Sequence, residues 1–226
     1  MTSPNTPSEP AEYRQARFRL PPGATELLLI RHGESAPARM DRQFPLVDGH
    51  GDPELAPAGH AQAQRVADRL STTRIDAIYV TTLCRTAQTA APLAARLGIR
   101  PVVNSDLREV YLGEWEGGLF RQRVAQGHPI AVRMLAEQRW DVIPGGESSA
   151  GFALRVRRGV ESIAACHADQ RIALFTHGGV IGQILAEATG SRPFAFIGAD
   201  NGSLSTVVIS GQNWLVRGYN DINHLT

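Results

Sequence analysis

The sequence predicts an α/β protein, a three-layer sandwich with a mostly parallel central sheet and helices on both faces. Three observations predict it. Short aliphatic runs alternate with segments of helical period in the order βαβαβ, which implies parallel strands joined by right-handed crossovers. The first run is apolar throughout, as a strand buried on both faces is. Three of the strands lead into arginine or histidine, and in a parallel sheet those ends lie along one edge.

The first strand is Leu27-Leu28-Leu29-Ile30, followed by Arg31-His32-Gly33-Glu34-Ser35. Neighbouring residues on a strand face opposite ways. Arg31 and His32 therefore converge on one ligand only where the chain turns, and Gly33 gives it freedom to do so. Residues 36–56 hold three prolines and two glycines, which leaves no room for a helix or central strand. A loop of this length is usually functional or a lid. Residues 58–70 form a helix whose apolar stripe is Ala63, Val66, Ala67 and Leu70. Residues 75–81 form the second strand. Residues 85–97 form a second helix, stopped by Gly98. Residues 100–103 form a short strand near an edge, because Pro101 cannot donate to a ladder. Residues 106–146 interrupt the alternation as an insertion over the sheet edge, with Glu109, Trp115, Trp140 and a weak helix at 130–135. Pro144-Gly145-Gly146 leads into a helix over 148–168, with Glu147 and the serines as capping candidates. The fourth strand, 172–176, ends at His177-Gly178-Gly179. A helix over 180–189 follows, stopped by Gly190. Strands at 203–210 and 214–219 flank Gly211-Gln212-Asn213, a hairpin signal. There is no internal repeat.

Composition narrows the class. With 42% hydrophobic and 20% charged residues, the chain of 226 residues has material for a full core. Residues 23–226 are expected as a single domain with its insertion at about 106–146. Residues 1–22, rich in Pro, Ser, Thr and Glu near the start and without an apolar leader core, are expected as a disordered tail. Basic residues number 23, all of them arginine, against 22 acidic ones. That balance argues against a general nucleic-acid binder. Arg155, Arg157 and Arg158, with Glu161 nearby, read as a solvated helix face. Cys84 and Cys166 have neither a disulfide framework nor a zinc spacing. The expectation is a reduced, cytoplasmic protein with no metal. No apolar run approaches the ~20 residues that span a bilayer, so no membrane is expected.

Arg31-His32 end strand one, Thr81-Thr82-Leu83-Cys84-Arg85 follow strand two, and His177-Gly178 end strand four. Two arginines and two histidines can therefore meet in one crevice. Two guanidinium forks and the helix N-terminus after His177 suit a tetrahedral oxyanion such as phosphate. A neutral imidazole can attack phosphorus in line, and a covalent phosphohistidine splits one displacement into two. Neighbouring arginines disfavour imidazolium. They also carry the charge that Mg²⁺ carries elsewhere. An acid must protonate the leaving oxygen, and a carboxyl beside a dianionic phosphate keeps its proton to higher pH.

Five segments in this order resemble the histidine phosphatase superfamily, in its phosphoglycerate mutase-like branch, over roughly residues 26–220. Arg31-His32-Gly33-Glu34-Ser35 resembles its signature. Leu55-Ala56-Pro57-Ala58-Gly59-His60-Ala61-Gln62-Ala63 resembles its Leu-Thr-Pro-x-Gly-x-x-Gln-Ala segment. Thr82 to Ala90, Leu107-Arg108-Glu109 with Gly113-Glu114-Trp115-Glu116-Gly117, and Thr176-His177-Gly178-Gly179 resemble the remaining three. The resemblance implies His32 as nucleophile and Glu109 as proton donor, with Glu114, Glu116 and Asp106 as competitors. It implies Arg31, Arg85, His177 and Gly178 as the phosphate clamp. Asn201 and Ser203 are either a polar pair behind the histidines or a turn before the hairpin. His50, His60 and His128 read as loop or surface residues.

The sequence departs from the family where many members carry Trp-Asn after the signature. It has Ala36-Pro37-Ala38-Arg39 there, so the asparagine contact is missing or replaced by Arg39. This, and the modest insertion, favour a phosphatase over a mutase. The expected function is hydrolysis of a small phosphomonoester through a phosphohistidine, with no cofactor. A phosphoglycerate mutase-type transfer and a catalytically silent phospho-ligand-binding module are the alternatives. The Trp140 and Phe120 region is either lid packing or the interface of a homodimer.

Overall fold

The structure, a computed structural model, describes residues 12–226. Half of the expected tail, residues 1–11, lies outside the described residues. Residues 12–21 carry no regular element.

The chain runs β1 (Thr25–Arg31), β2 (Leu46–Val47), β3 (His50–Gly51), α1 (Pro57–Leu70), β4 (Ala77–Val80), α2 (Cys84–Leu97) and β5 (Val102–Val103). It continues through α3 (Leu119–Ala125), α4 (Pro129–Glu137), α5 (Ser149–Cys166), β6 (Arg171–Thr176), α6 (Gly178–Thr189), β7 (Leu204–Ser210) and β8 (Asn213–Asp221). Six strands form one sheet in the order β5-β4-β6-β1-β7-β8. The first four are mutually parallel, with Ile30 opposite Phe175 and Ile78 opposite Ala173. β7 and β8 run antiparallel, as a hairpin must.

The period of two sorts the central strands onto two cores. Leu28 and Ile30 of β1 with Ala173 and Phe175 of β6 pack on Val66, Leu70 and Leu93 of α1 and α2. Leu27 and Leu29 with Ile172 and Leu174 pack on Val160 and Ile163 of α5 and on Ile184 of α6. The three layers follow from this alternation.

Two expectations need correction. The insertion does not lie over the sheet edge. Its Val110, Trp115, Met134, Trp140 and Ile143 belong to the same core as Leu27 and Leu174, because a large aromatic segment gains most by joining the existing apolar layer. It also holds two helices, α3 and α4, where the periodicity predicts one weak helix. The second is started by Pro129 and by His128, whose ring accepts from Ile130 N–H. The long loop forms a two-residue hairpin, β2 and β3, turning through Asp48-Gly49.

Candidate active site

The carboxyl ends of β1, β4 and β6 meet at one point, as parallel strands require. Gly33, just beyond β1, is not in the left-handed region. It is small for another reason. A Cβ there would lie 2.5 Å from the carbonyl oxygen of Gly59, and a Cβ on Gly59 would lie 2.0 Å from that of Glu34. The signature loop and the start of α1 are pressed backbone to backbone, which ties the Leu55–Ala63 motif physically to the His32 motif. Gly33 N–H donates to Thr89 Oγ1 (3.0 Å), and Asn201 Nδ2 donates to the His32 carbonyl (2.8 Å). Asn201, in the turn before β7, thus braces the signature from behind, while the Ser203 hydroxyl has no partner.

His32 is buried. Its Nδ1 lies 2.7 Å from the Gly33 carbonyl. A carbonyl only accepts, so Nδ1 carries the proton and Nε2 keeps its lone pair. That nitrogen receives Arg85 Nε–H at 3.2 Å. Burial first, then the charges of Arg85 and Arg31, hold the His32 pKa well below the ordinary imidazole range. The side chain is a neutral imidazole at neutral pH. His177 lies beside it, rings 5.2 Å apart and T-shaped. It is fully buried and held by Thr81 Oγ1 at 3.0 Å from Nε2, while Nδ1 has no partner. Burial, followed by Arg85, holds it neutral as well. His177 sits behind His32 rather than on the cavity wall.

Two guanidinium groups flank His32. Arg31 donates from Nη1 to the Ala199 carbonyl and leaves Nε buried without a partner. Gly178 lies beside it, and a Cβ there would make ordinary contact with Arg31 Nε at 3.4 Å. Arg85 donates from Nη1 to the Gly51 carbonyl (3.0 Å) and is backed by Asp52 at 3.6 Å. Asp52 also accepts Cys84 N–H at 2.9 Å, and so fixes the start of α2. Burial pushes the Cys84 thiol up to about 12. It stays protonated and is no thiolate nucleophile.

Glu109 lines the same cavity as Arg31, His32 and Arg85. Its oxygens accept Val110 N–H (3.0 Å) and Gly179 N–H (3.2 Å). A Cβ on Gly179 would lie 2.5 Å from Glu109 Oε1, so a side chain there would push the carboxylate out of its place. The N-terminus of α6 therefore serves the carboxylate as well as the site beside it. Of the three competitors, only Glu116 lines this cavity. Glu116 accepts Gly51 N–H (2.6 Å) and Leu112 N–H (2.9 Å), Asp106 is forked by Arg158, and Glu114 is exposed.

Four residues enter the site that the sequence did not single out for it. His50 is buried and lines the cavity beside Tyr111, so it is not a surface residue. Asp52 orients Arg85, as above. Arg121 of α3 lines the cavity and donates to Ser35 Oγ (2.7 Å) and the Ala36 carbonyl (2.9 Å). It occupies the neighbourhood that Arg39 was expected to fill. Arg39 instead pairs with Asp41 and is two-thirds exposed. Arg155 does not lie on a solvated face. It donates to the carbonyls of Asp106 (2.7 Å), Arg108 (2.9 Å) and Glu109 (3.3 Å), and forks the Glu147 carboxylate at 2.9 and 2.7 Å. It holds the loop that carries Glu109. Among the described residues no group of three or more His, Cys, Asp or Glu side chains is placed to hold a metal ion, and no helix is long and apolar enough to cross a membrane.

A mostly parallel α/β sheet whose strand ends gather a neutral histidine, two arginines and a carboxyl around one cavity suits a phosphoryl-handling enzyme. The chain matches the family model of the histidine phosphatase superfamily (branch 1) over residues 27–222, and it belongs to that family. It is a phosphoglycerate mutase-like histidine phosphatase in fold and kind. It is 35% identical over 207 residues to phosphoglycerate mutase-like protein 4 of Arabidopsis thaliana, covering 88% of this chain and 86% of that one. It is 31% identical over 206 residues to the metal-independent phosphoserine phosphatase of the same plant, covering 89% and 84%. The structure of a mycobacterial glucosyl-3-phosphoglycerate phosphatase superposes with a TM-score of 0.72 at 26% identity, over 87% of this chain and 99% of that one.

Proposed function

We propose that residues 23–226 act as one catalytic unit that hydrolyses a small phosphomonoester through a phospho-His32 intermediate. The observation that carries this reading is the His32 tautomer. Nδ1–H is tied to a carbonyl, and the Nε2 lone pair accepts Arg85 Nε–H under the charge of Arg31, so it is released for attack when Arg85 turns to the phosphoryl oxygens. Arg31 and Arg85 clamp the phosphoryl oxygens beside Gly178, and His177 backs His32 with a buried, unpartnered Nδ1 that a phosphoryl oxygen reaches only by entering past His32.

In the first step His32 Nε2 attacks phosphorus, the bond to the ester oxygen breaks, and the Glu109 carboxyl gives that oxygen a proton. In the second, the Glu109 carboxylate takes a proton from water. The water oxygen attacks the phosphohistidine, the N–P bond breaks, and inorganic phosphate leaves. Glu109 ends protonated and His32 neutral, so the cycle closes without a metal or cofactor.

Hydrolysis is favoured over transfer back to a bound sugar acid, because six apolar side chains, Phe44, Val110, Leu112, Trp115, Phe120 and Trp140, stand in the wall away from the clamp. The relatives named as phosphatases support the same choice. The free Cys84 and Cys166 support a reducing, cytoplasmic setting. A homodimer belongs to the same reading. The exposed Val132 and Leu135 of α4 are candidates for its surface, and sedimentation measures it.

The test is hydrolysis of 4-nitrophenyl phosphate in EDTA across pH 5 to 8, with His32→Ala alongside. Activity that survives the chelator and is lost in the variant is expected. Inactivity of the wild type with labelling at His32 by a phosphorylated sugar acid favours the mutase. Neither turnover nor labelling favours a silent binding module.

A further inference from the structure

The cavity above His32 has a volume of about 240 Å³. An apolar cavity of roughly 150 Å³ accepts a benzene ring. The space therefore holds a phosphoryl group and one ring, and opens to solvent beyond them. Its wall away from the clamp is built from Phe44, Val110, Leu112, Trp115, Phe120 and Trp140. Trp115 and Phe120 stand 6.3 Å apart and Phe120 and Trp140 6.2 Å apart, so three aromatic rings form one continuous surface. These distances suit edge and offset contacts with a further ring.

The polar groups of that wall, Glu116, His50 and Arg121, each spend part of their hydrogen-bonding capacity on the protein. Both Glu116 oxygens accept backbone N–H groups. His50 Nδ1 contacts the Asp48 carbonyl at 3.2 Å. Arg121 spends two N–H groups on Ser35 and Ala36, and its guanidinium lies over the Phe44 ring at 5.3 Å. A hydroxyl, ammonium or carboxylate on the leaving group would lose water and meet groups already shared with the protein. Each such loss weakens binding by roughly tenfold to a hundredfold, while a ring gains by covering the aromatic surface.

We infer that the substrate's alcohol is apolar and carries one aromatic ring, in preference to serine, glycerate or a sugar. The inference rests on the phosphatase reading above. Benzyl phosphate is the probe, because its alkoxide leaving group is about as basic as that of serine and intrinsic reactivity does not favour it. It is compared with O-phosphoserine, 3-phosphoglycerate and glucose 6-phosphate. A kcat/KM at least about tenfold higher for benzyl phosphate is expected. Phe120→Ala is expected to shrink that ratio severalfold. Equal or better turnover of phosphoserine or phosphoglycerate overturns the substrate class and leaves the phosphatase intact. Where no ester turns over, the phosphatase reading fails, and calorimetry still decides the pocket. Benzylphosphonate binding about tenfold tighter than 2-amino-3-phosphonopropionate supports an apolar pocket, and equal or weaker binding overturns it.

Discussion

Removing Arg155 probes how the acid is held in place. Arg155 and Glu147 have side chains only 15% and 20% exposed, and the fork between them is bidentate. Burial alone would raise the Glu147 carboxyl. The Arg155 hydrogen bonds and charge outweigh it and hold the group below its ordinary value. Arg155→Met leaves that carboxylate without its partner and frees three carbonyls on the Glu109 loop. Breaking one side of a buried ion pair costs roughly 3–5 kcal/mol. Partial exposure here points to the lower end, about 3 kcal/mol. For a domain of this size each kcal/mol moves Tm by about 2–4 °C, so a fall of roughly 6–12 °C is expected by calorimetry. The catalytic effect should be larger in kcat than in KM, at roughly 10–100-fold, because the loop misplaces Glu109 rather than the phosphate clamp. The sign with pH is also set. In the variant burial is opposed only by the Tyr111 N–H and by His50, so Glu147 binds its proton at higher pH than in the wild type. The stability penalty should therefore shrink as pH falls toward the ordinary carboxyl range. Glu147→Gln in the same chain should recover part of the loss. A Tm change under 2 °C with kcat intact, or a penalty that grows on acidification, would refute the role given to Arg155.

Gly59→Ala should cost roughly 3 kcal/mol or more by driving a Cβ against the Glu34 carbonyl; a wild-type denaturant midpoint would count against the close packing of α1 on the signature. Both His32 and His177 have lowered pKa values in the folded protein. Stability should therefore be full above about pH 6.5 and fall below it, where the unfolded chain binds protons that the native one does not. The slope from the pair approaches about 2.7 kcal/mol per pH unit. Urea midpoints at pH 7, 6 and 5 measure it, and His177→Asn should flatten the slope. Glu109→Gln should lower kcat for benzyl phosphate by roughly 10²–10⁴ and affect 4-nitrophenyl phosphate less in its first step, giving a nitrophenol burst. An equal loss on both esters without a burst would move the acid role to another group.

The parts of the site that lie next to one another in sequence were legible, and the parts assembled across the fold were not. Arg31, His32, Arg85 and His177 stand at strand ends or helix starts, where an aliphatic run followed by polar residues marks the edge of a parallel sheet. The alternation of Leu27 to Ile30 between two cores was equally readable, since period two is a local property. Arg155 was misread because its charge pattern on α5 is that of a surface helix; its partners at 106–109 lie nearly 50 residues away, and periodicity says nothing of them. Arg121 escaped for the same reason, as did the joining of the insertion to the core through Trp115 and Trp140. His50 and Asp52 sit in a loop whose prolines and glycines announced irregularity but not where it folds. Gly33 was noticed for the wrong cause: freedom to turn is what a lone sequence suggests, while the close approach of Gly59 appears only once two distant motifs touch.

The central claim is that phosphorus becomes bonded to His32. Rapid acid-free quench of the protein with ³²P-labelled benzyl or 4-nitrophenyl phosphate, followed by peptide mapping, tests it directly. Glu109→Gln serves as the trapping variant, since the second step needs its carboxylate. The account predicts one label per chain, on the peptide that contains His32, stable to alkali, lost in acid and absent from His32→Ala. Hydrolysis at the wild-type rate in His32→Ala, or a stable label on any other residue, would contradict it.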